Sequence, residues 1–210
     1  MTDPNYRHLI LIIDRSGSMQ SCKAATEEGI NGFFETQTRE PGRATATLVQ
    51  FDTEHETVFE HVELADAPTY TLVPRGGTAL LDAVGFAFAR EGQWLASLPE
   101  EQRPGTVVAV IATDGEENSS REYTAEQIRE IIRGQREVYG WEVLFIGANI
   151  DAVKTAATYG IPAASAMTYD TQSTEGTYQV VSAAVSRGAS GLGYSFTDQE
   201  RATASGIGEA

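Results

Sequence analysis

The stretch "LILIIDRSGSM", residues 9–19, decides how this chain is read. Residues 9–13 form an apolar run too short for a helix and unbroken by polar side chains, the pattern of a strand buried on both faces of a parallel sheet. The run passes without a spacer into Asp14, Ser16 and Ser18, three oxygen-bearing side chains within five positions. In an open parallel sheet, ligands collect outside the carboxyl ends of the strands. These oxygens are therefore expected where such a fold carries its function.

Working outward, short runs rich in β-branched residues recur at 107–111 and 143–146 and read as further parallel strands. Between them lie apolar residues spaced by three and four: Ile30, Phe33 and Phe34; Leu80, Leu81, Val84 and Phe88; Ile128, Ile131 and Ile132. That spacing predicts amphipathic helices covering the sheet. Thr124 with Gln127 has the form of a capping box that starts the third of them. Segments "ATATLVQFD" (44–52) and "ETVFEHVEL" (56–64) are joined only by Thr53, Glu54 and His55, which predicts an antiparallel hairpin and hence one reversed strand at an edge. The glutamates and His61 suit an edge, because charged side chains there discourage pairing with another chain. Further on, a helix is expected near 151–159 with Gly160 as its stop, then a short strand around 166–169 and a last helix through Tyr178, Val181 and Val185. One α/β domain over 1–185 is the reading, with a C-terminal tail over 186–210 that is flexible or weakly docked. Phe196 and the Thr197-x-x-Glu200 cap leave room for a short docked turn in that tail.

The chain has 210 residues, with 30 acidic against 15 basic side chains and a formal charge of -15. Nucleic acid and anionic membrane surfaces are expected to be repelled at long range. No apolar run reaches the ~18 residues of a membrane span. Cys22 is the single cysteine, and residues 1–8 have no apolar export core, so the expected location is cytoplasmic. Asn118-Ser119-Ser120 matches a glycosylation acceptor but reads, without such a signal, as an exposed polar loop.

Asp114, in "VIATDGEEN", follows the strand at 107–111 as Asp14 follows the first. If those strands are neighbours, ~4.8 Å apart, the two carboxylates converge. Two such groups in a partly dry crevice repel unless a cation sits between them. Oxygen donors without histidine or cysteine favour a hard divalent ion, Mg2+ foremost, with Mn2+ or Ca2+ also compatible. Gly17 is expected to turn the loop tightly enough for Ser16 and Ser18 to aim their hydroxyls at one point. A helix cap built from Asp14 and the serines is the plainer reading, but it has no use for Asp114.

Asp14-x-Ser16-x-Ser18 after a strand, then "RGGTALLDAV" with Thr78, then "ATDG" with Asp114, resembles the metal-ion-dependent adhesion site of von Willebrand factor A domains, over residues 7–185. The resemblance implies a doubly wound, mostly parallel six-stranded sheet, order 3-2-1-4-5-6, with the third strand antiparallel and helices on both faces. It implies that Ser16, Ser18 and Thr78 ligate a divalent cation through hydroxyls, and that Asp14 and Asp114 bind it directly or through water. It also implies a non-enzymatic domain that captures an Asp or Glu carboxylate of a partner protein at the ion. The chain's own acidity suggests that the partner's carboxylate has a neutral or basic surround. With its lone cysteine, the chain resembles compact intracellular bacterial members of the family more than secreted adhesive ones.

Two other classes follow from the same residues. A Mg2+-dependent phosphohydrolase also places acids at strand ends, but position 16, where such enzymes carry a second acid, is Ser16, and no lysine is placed to clamp phosphate. A structural subunit would use the ion only to brace its loops. A serine hydrolase lacks its G-x-S-x-G elbow here. His8, His55 and His61 are assigned structural or surface roles, Glu116 and Glu117 a solvated loop, Cys22 a buried packing role, and "GASGLG" at 188–193 fails as a dinucleotide loop because it follows a helix.

Overall fold

Strand β1 (Asp3–Asp14) lies at the centre of the sheet, with Leu11 opposite Leu48 on one side and Val110 on the other. The computed structural model describes residues 1–206. The remaining strands are β2 (Arg43–Phe51), β3 (His55–Glu63), β4 (Pro104–Thr113), β5 (Glu142–Ala148) and β6 (Ala166–Tyr169). They stand in the order β3-β2-β1-β4-β5-β6, and every neighbouring pair is parallel except the β2–β3 hairpin. Fold class, strand order and the reversed edge strand agree with the expectation from the sequence.

Among the described residues, six α-helices connect and cover the strands: α1 (Lys23–Arg39), α2 (Leu80–Ser97), α3 (Ala125–Tyr139), α4 (Ala152–Thr158), α5 (Thr174–Ala189) and α6 (Asp198–Ala204). Successive residues of β1 point to opposite faces. Leu9, Leu11 and Ile13 pack with α1, α5 and α6, while Ile10 and Ile12 pack with α2, α3 and α4. All five are fully buried, and each contributes ~1.5–3 kcal/mol of burial. This is why the opening run contains no polar residue. The capping box at Thr124 forms as expected, with Gln127 N–H donating to Thr124 Oγ1 and Thr124 N–H to Gln127 Oε1.

The edge hairpin is less regular than simple alternation predicts. Between the pairs Ala46–Val62 and Leu48–Phe59 the register shifts, so Glu60 and His61 both face Thr47 in a β-bulge. His61 takes a left-handed φ of 52° there, and its N–H donates to Thr47 Oγ1 at 3.2 Å. In consequence its imidazole does not guard the edge but turns toward α2.

The boundary expected at residue 185 falls inside α5, which runs to Ala189. Beyond it, Phe196 and Ala204 are buried in the cluster shared with α5 and β6. Arg187 pairs with Glu200 at 2.6 Å, and the Arg201 guanidinium donates to the carbonyls of Ala163, Ala164 and Ala166. Residues 207–210 of the expected tail lie outside the described residues. Among the described residues, no helix is long and apolar enough to cross a membrane.

Candidate metal centre

Asp14 is the last residue of β1, and β4 runs beside it with Ile13 opposite Ala112. Asp114 therefore comes just past the end of the adjacent strand. The Asp14 carboxylate is fully buried, and each of its oxygens has an internal donor: the Ser16 N–H reaches Oδ1 at 2.6 Å and the Thr113 hydroxyl reaches Oδ2 at 2.6 Å. The bond to Ser16 N–H folds the chain back on itself directly after the strand. That fold brings Ser18 Oγ within 3.1 Å of Ser16 Oγ. Both hydroxyls then donate to Asp114 Oδ1, from Ser18 at 2.7 Å and from Ser16 at 3.4 Å. Ser16 makes no side-chain cap to the short turn that follows it, Gly17–Ser21, which disposes of the helix-cap reading.

Thr78 arrives from the loop before α2 and is buried. Its N–H donates to Asn118 Oδ1 at 3.0 Å, and its carbonyl accepts from Asn118 N–H at 3.0 Å and Ser119 N–H at 3.2 Å. A methyl group placed on Gly115 would stand 3.3 Å from Thr78 Oγ1. The Thr78 hydroxyl thus lies against the backbone that follows Asp114. Asp14, Ser16, Ser18 and Asp114 share one hydrogen-bonded network, and Thr78 adjoins it across Gly115.

The loop carrying Thr78 is tied to the serine loop by backbone bonds. Gly17 N–H donates to Gly76 O at 3.2 Å and Arg75 N–H to Arg15 O at 2.8 Å. The glycine whose backbone matters is Gly76, at φ 66°, where a Cβ would press on Thr53 Oγ1 and Asp52 Cβ at 3.2 and 3.3 Å. Gly17, expected to make the tight turn, is not in the left-handed region. Its neighbour Ser16 turns through the bond to Asp14 instead. Beneath both loops, Asp52 Oδ2 receives the guanidinium groups of Arg15 at 2.7 Å and Arg75 at 2.8 Å, while its carbonyl accepts from Ala79 N–H.

Thr113 and Asp52 carry no expectation from the sequence, and Asn118 reads there only as part of an exposed polar loop. Thr113 precedes Asp114 in the same "ATDG" stretch, so its period-two position toward Asp14 was a usable signal. Glu117 is also other than the solvated residue expected. It accepts from the N–H groups of Leu81, Ser119 and Ser120, tying the loop after β4 to the start of α2. Glu116 is exposed. Cys22 is buried against Met19 and Thr26, as expected. Of the histidines, assigned structural or surface roles, His8 is fully buried.

Burial dominates the electrostatics of the site. It pushes the Asp14 carboxyl up to about 6 against the lowering effect of the Thr113 and Ser16 hydrogen bonds, and the nearby Asp114 adds to the rise. Burial likewise raises Asp114, opposed by Ser18 and Ser16. Two desolvated carboxylates with three hydroxyls fit a hard divalent cation, which balances their charge and takes oxygen ligands.

No protein-family model matches the sequence, and no curated protein is similar to it. Solved structures are similar in fold. A von Willebrand factor type A protein from Catenulispora acidiphila superposes with a TM-score of 0.59 at 17% identity, over 85% of this chain and 42% of that one. Proximal thread matrix protein 1 from the mussel byssus, with a zinc-occupied MIDAS motif, gives 0.61 at 16% identity, over 87% and 46%. The pilus adhesin SpaC from Lactobacillus rhamnosus GG gives 0.63 at 12% identity, over 86% and 30%. This chain spans less than half the length of each of these structures. With its strand order, its reversed edge strand and an oxygen cluster at the carboxyl ends of β1 and β4, the chain has the fold of the von Willebrand factor type A domains.

Proposed function

We propose that the chain is a metal-dependent protein-binding domain that works without catalysis. In this reading Asp14, Ser16, Ser18, Thr78 and Asp114 hold one divalent cation, Mg2+ foremost, and the ion captures an Asp or Glu carboxylate of a partner protein. The observation that carries it is the convergence of both serine hydroxyls on Asp114 Oδ1. A divalent ion with two carboxylates sums to about zero charge, and neutral hydroxyls donate weakly, so such an ion accepts a further hard oxygen. The zinc-occupied motif of the mussel protein, on a similar fold, is consistent with this.

The loops argue for capture over bracing. Backbone bonds between Gly17 and Gly76, the Asn118 clamp on Thr78 and the Asp52 pairs already fix them. An ion is then free to serve a partner. A phosphohydrolase reading has a hydroxyl, Ser16 Oγ, where it needs a second acid. The proposed setting is the cytoplasm, with a partner whose carboxylate has neutral or basic neighbours, because this chain is itself acidic.

Capture from cell extract on the immobilised chain, in Mg2+ and then in chelator, tests the function. A protein retained only with Mg2+, and not by Asp114→Asn, is the expected result. Retention that ignores chelator and substitution alike would refute carboxylate capture at the ion.

A further inference from the structure

On the α2 face of the sheet, His8 of β1, His61 of β3 and Glu91 of α2 bring their side chains together. His8 Nε2 lies 3.0 Å and His61 Nε2 3.2 Å from the same oxygen, Glu91 Oε2. One ligand atom from each residue lies within 4.8 Å of the others. We propose that these three residues form a second cation site, for a transition ion of the zinc class, separate from the oxygen cluster at the strand ends. His8 is six residues before Asp14 on β1, which puts the two sites ~20 Å apart at 3.3 Å per residue.

Four observations carry the assignment. The first is geometric: tetrahedral zinc with bonds of ~2.0–2.1 Å to nitrogen or oxygen separates its ligand atoms by ~3.3–3.4 Å. The two contacts to Glu91 differ from that by only a few tenths of an ångström. The second is the donor set, since two imidazoles and one carboxylate suit zinc and its neighbours better than Mg2+ or Ca2+.

The third is an orphan. Glu91 is 1% exposed, yet its Oε1 has no hydrogen-bond partner among the described residues. A buried carboxylate oxygen left without a partner is costly, and a cation held by both oxygens would satisfy it. The fourth is backbone strain: His61 is a non-glycine residue at φ 52° in the β-bulge, a conformation that side chains other than glycine rarely adopt. This conformation is what directs the ring inward to Glu91, with Trp94 stacked on it at 3.7 Å and 11°.

The surroundings suit ligation. His8 Nδ1 is 2.8 Å from Thr45 Oγ1, which is in turn 2.8 Å from Tyr6 OH. Without a cation, His8 Nε2–H donates to Glu91; with one bound, Nδ1–H donating to Thr45 would free the Nε2 lone pair for ligation, the orienting contact that metal-bound histidines use. Burial lowers the His8 pKa and so favours the neutral ring. Burial pushes Glu91 up, but hydrogen bonds from His8 and from the Thr47 side chain oppose it, and the carboxyl lies below its ordinary range. A neutral imidazole and an ionised carboxylate are the forms a cation takes. The His61 side chain is 21% exposed, which leaves a route from solvent.

The test uses the full chain carrying Asp114→Asn, so that the oxygen site does not contribute, titrated with Co2+ and then with Zn2+. One Co2+ with the visible bands of tetrahedral nitrogen ligation, displaced by Zn2+, is expected. Both should be lost when His61→Asn is added, asparagine being a residue that tolerates the left-handed backbone. Absence of such bands, or binding undiminished by His61→Asn, would overturn the site and identify the cluster as a buried hydrogen-bonded triad only. In the unaltered chain, Zn2+ should move the imidazole nitrogen resonances of His8 and His61 and leave those of His55 in place. Movement of His55 alone, or of none, would equally overturn it.

Discussion

Ser18 Oγ lies 2.7 Å from Asp114 Oδ1, although 96 residues separate them. The contact exists because β1 and β4 are parallel neighbours that end side by side, and because the Ser16 N–H bond to Asp14 folds the chain back after β1. A continuous apolar strand, a carboxylate at its end and two small hydroxyls beyond are together enough to build half of the site. The other half is delivered by loops that depend on contacts across the sheet, and each of those contacts can be tested.

Thr78→Val keeps the shape of a buried side chain and removes its hydroxyl. Divalent-ion affinity is expected to fall at least ~10-fold, by analogy with the loss of metal-site contacts. Thermal stability of the metal-free chain should change by less than ~1 kcal/mol. Calorimetric titration with Mn2+ and a thermal melt of the same preparation measure the two effects.

Asn118 holds Thr78 through its Oδ1 and its own N–H. Asn118→Ala removes only the side-chain contact. Ion affinity is expected to fall ~10–100-fold, the range seen when an outer contact of a metal site is lost. Unchanged affinity would mean that the backbone bonds alone position Thr78.

Asp52 gives the acid dependence. Burial pushes its carboxyl up, but hydrogen bonds from Arg75, Glu54 N–H and Arg15 outweigh this and hold it at about 2, against an ordinary 3.8. A depressed folded pKa stabilises the fold above the unfolded value and loses that stabilisation as pH falls toward the folded value. Stability should therefore drop between about pH 4 and pH 2, by on the order of 2 kcal/mol from this residue. Asp52→Asn should cost on the order of 2 kcal/mol at pH 7, the stabilisation its carboxylate supplies, with Arg15 left to Glu56 alone, and should flatten the slope in that window. Urea unfolding at several pH values checks both signs.

Phe196 is buried beyond the end of α5. If residues 190–206 are part of the folded unit, Phe196→Ala should cost about 3 kcal/mol, as for other buried aromatic truncations. A cost near zero in urea unfolding would place the tail outside the cooperative domain.

Much of this was readable in the sequence. The central strands are continuous apolar runs because both faces are covered, and Asp14, Ser16 and Ser18 are adjacent in the chain, so their convergence needed no tertiary knowledge. Thr78 was reached only through the family resemblance, since nothing local marks a threonine as facing a loop 40 residues on. Asp52, Asn118 and Glu117 were missed because they act on backbone N–H groups or on distant arginines, contacts with no periodic signature. The His8–His61–Glu91 cluster escaped for two reasons. Its members come from three elements, with His8 and Glu91 separated by 83 residues. A bulge then turns His61 to the face that simple strand alternation denies it.

The central claim is that five oxygen-bearing side chains hold one hard cation. Mg2+ titrated calorimetrically into the metal-free chain and into Asp114→Asn tests it most directly, because Mg2+ is a poor match for the histidine cluster. One binding event per chain, absent in the variant while its far-ultraviolet circular dichroism is unchanged, is the predicted result. No Mg2+ binding by the unaltered chain, or equal binding by the folded variant, would contradict the account.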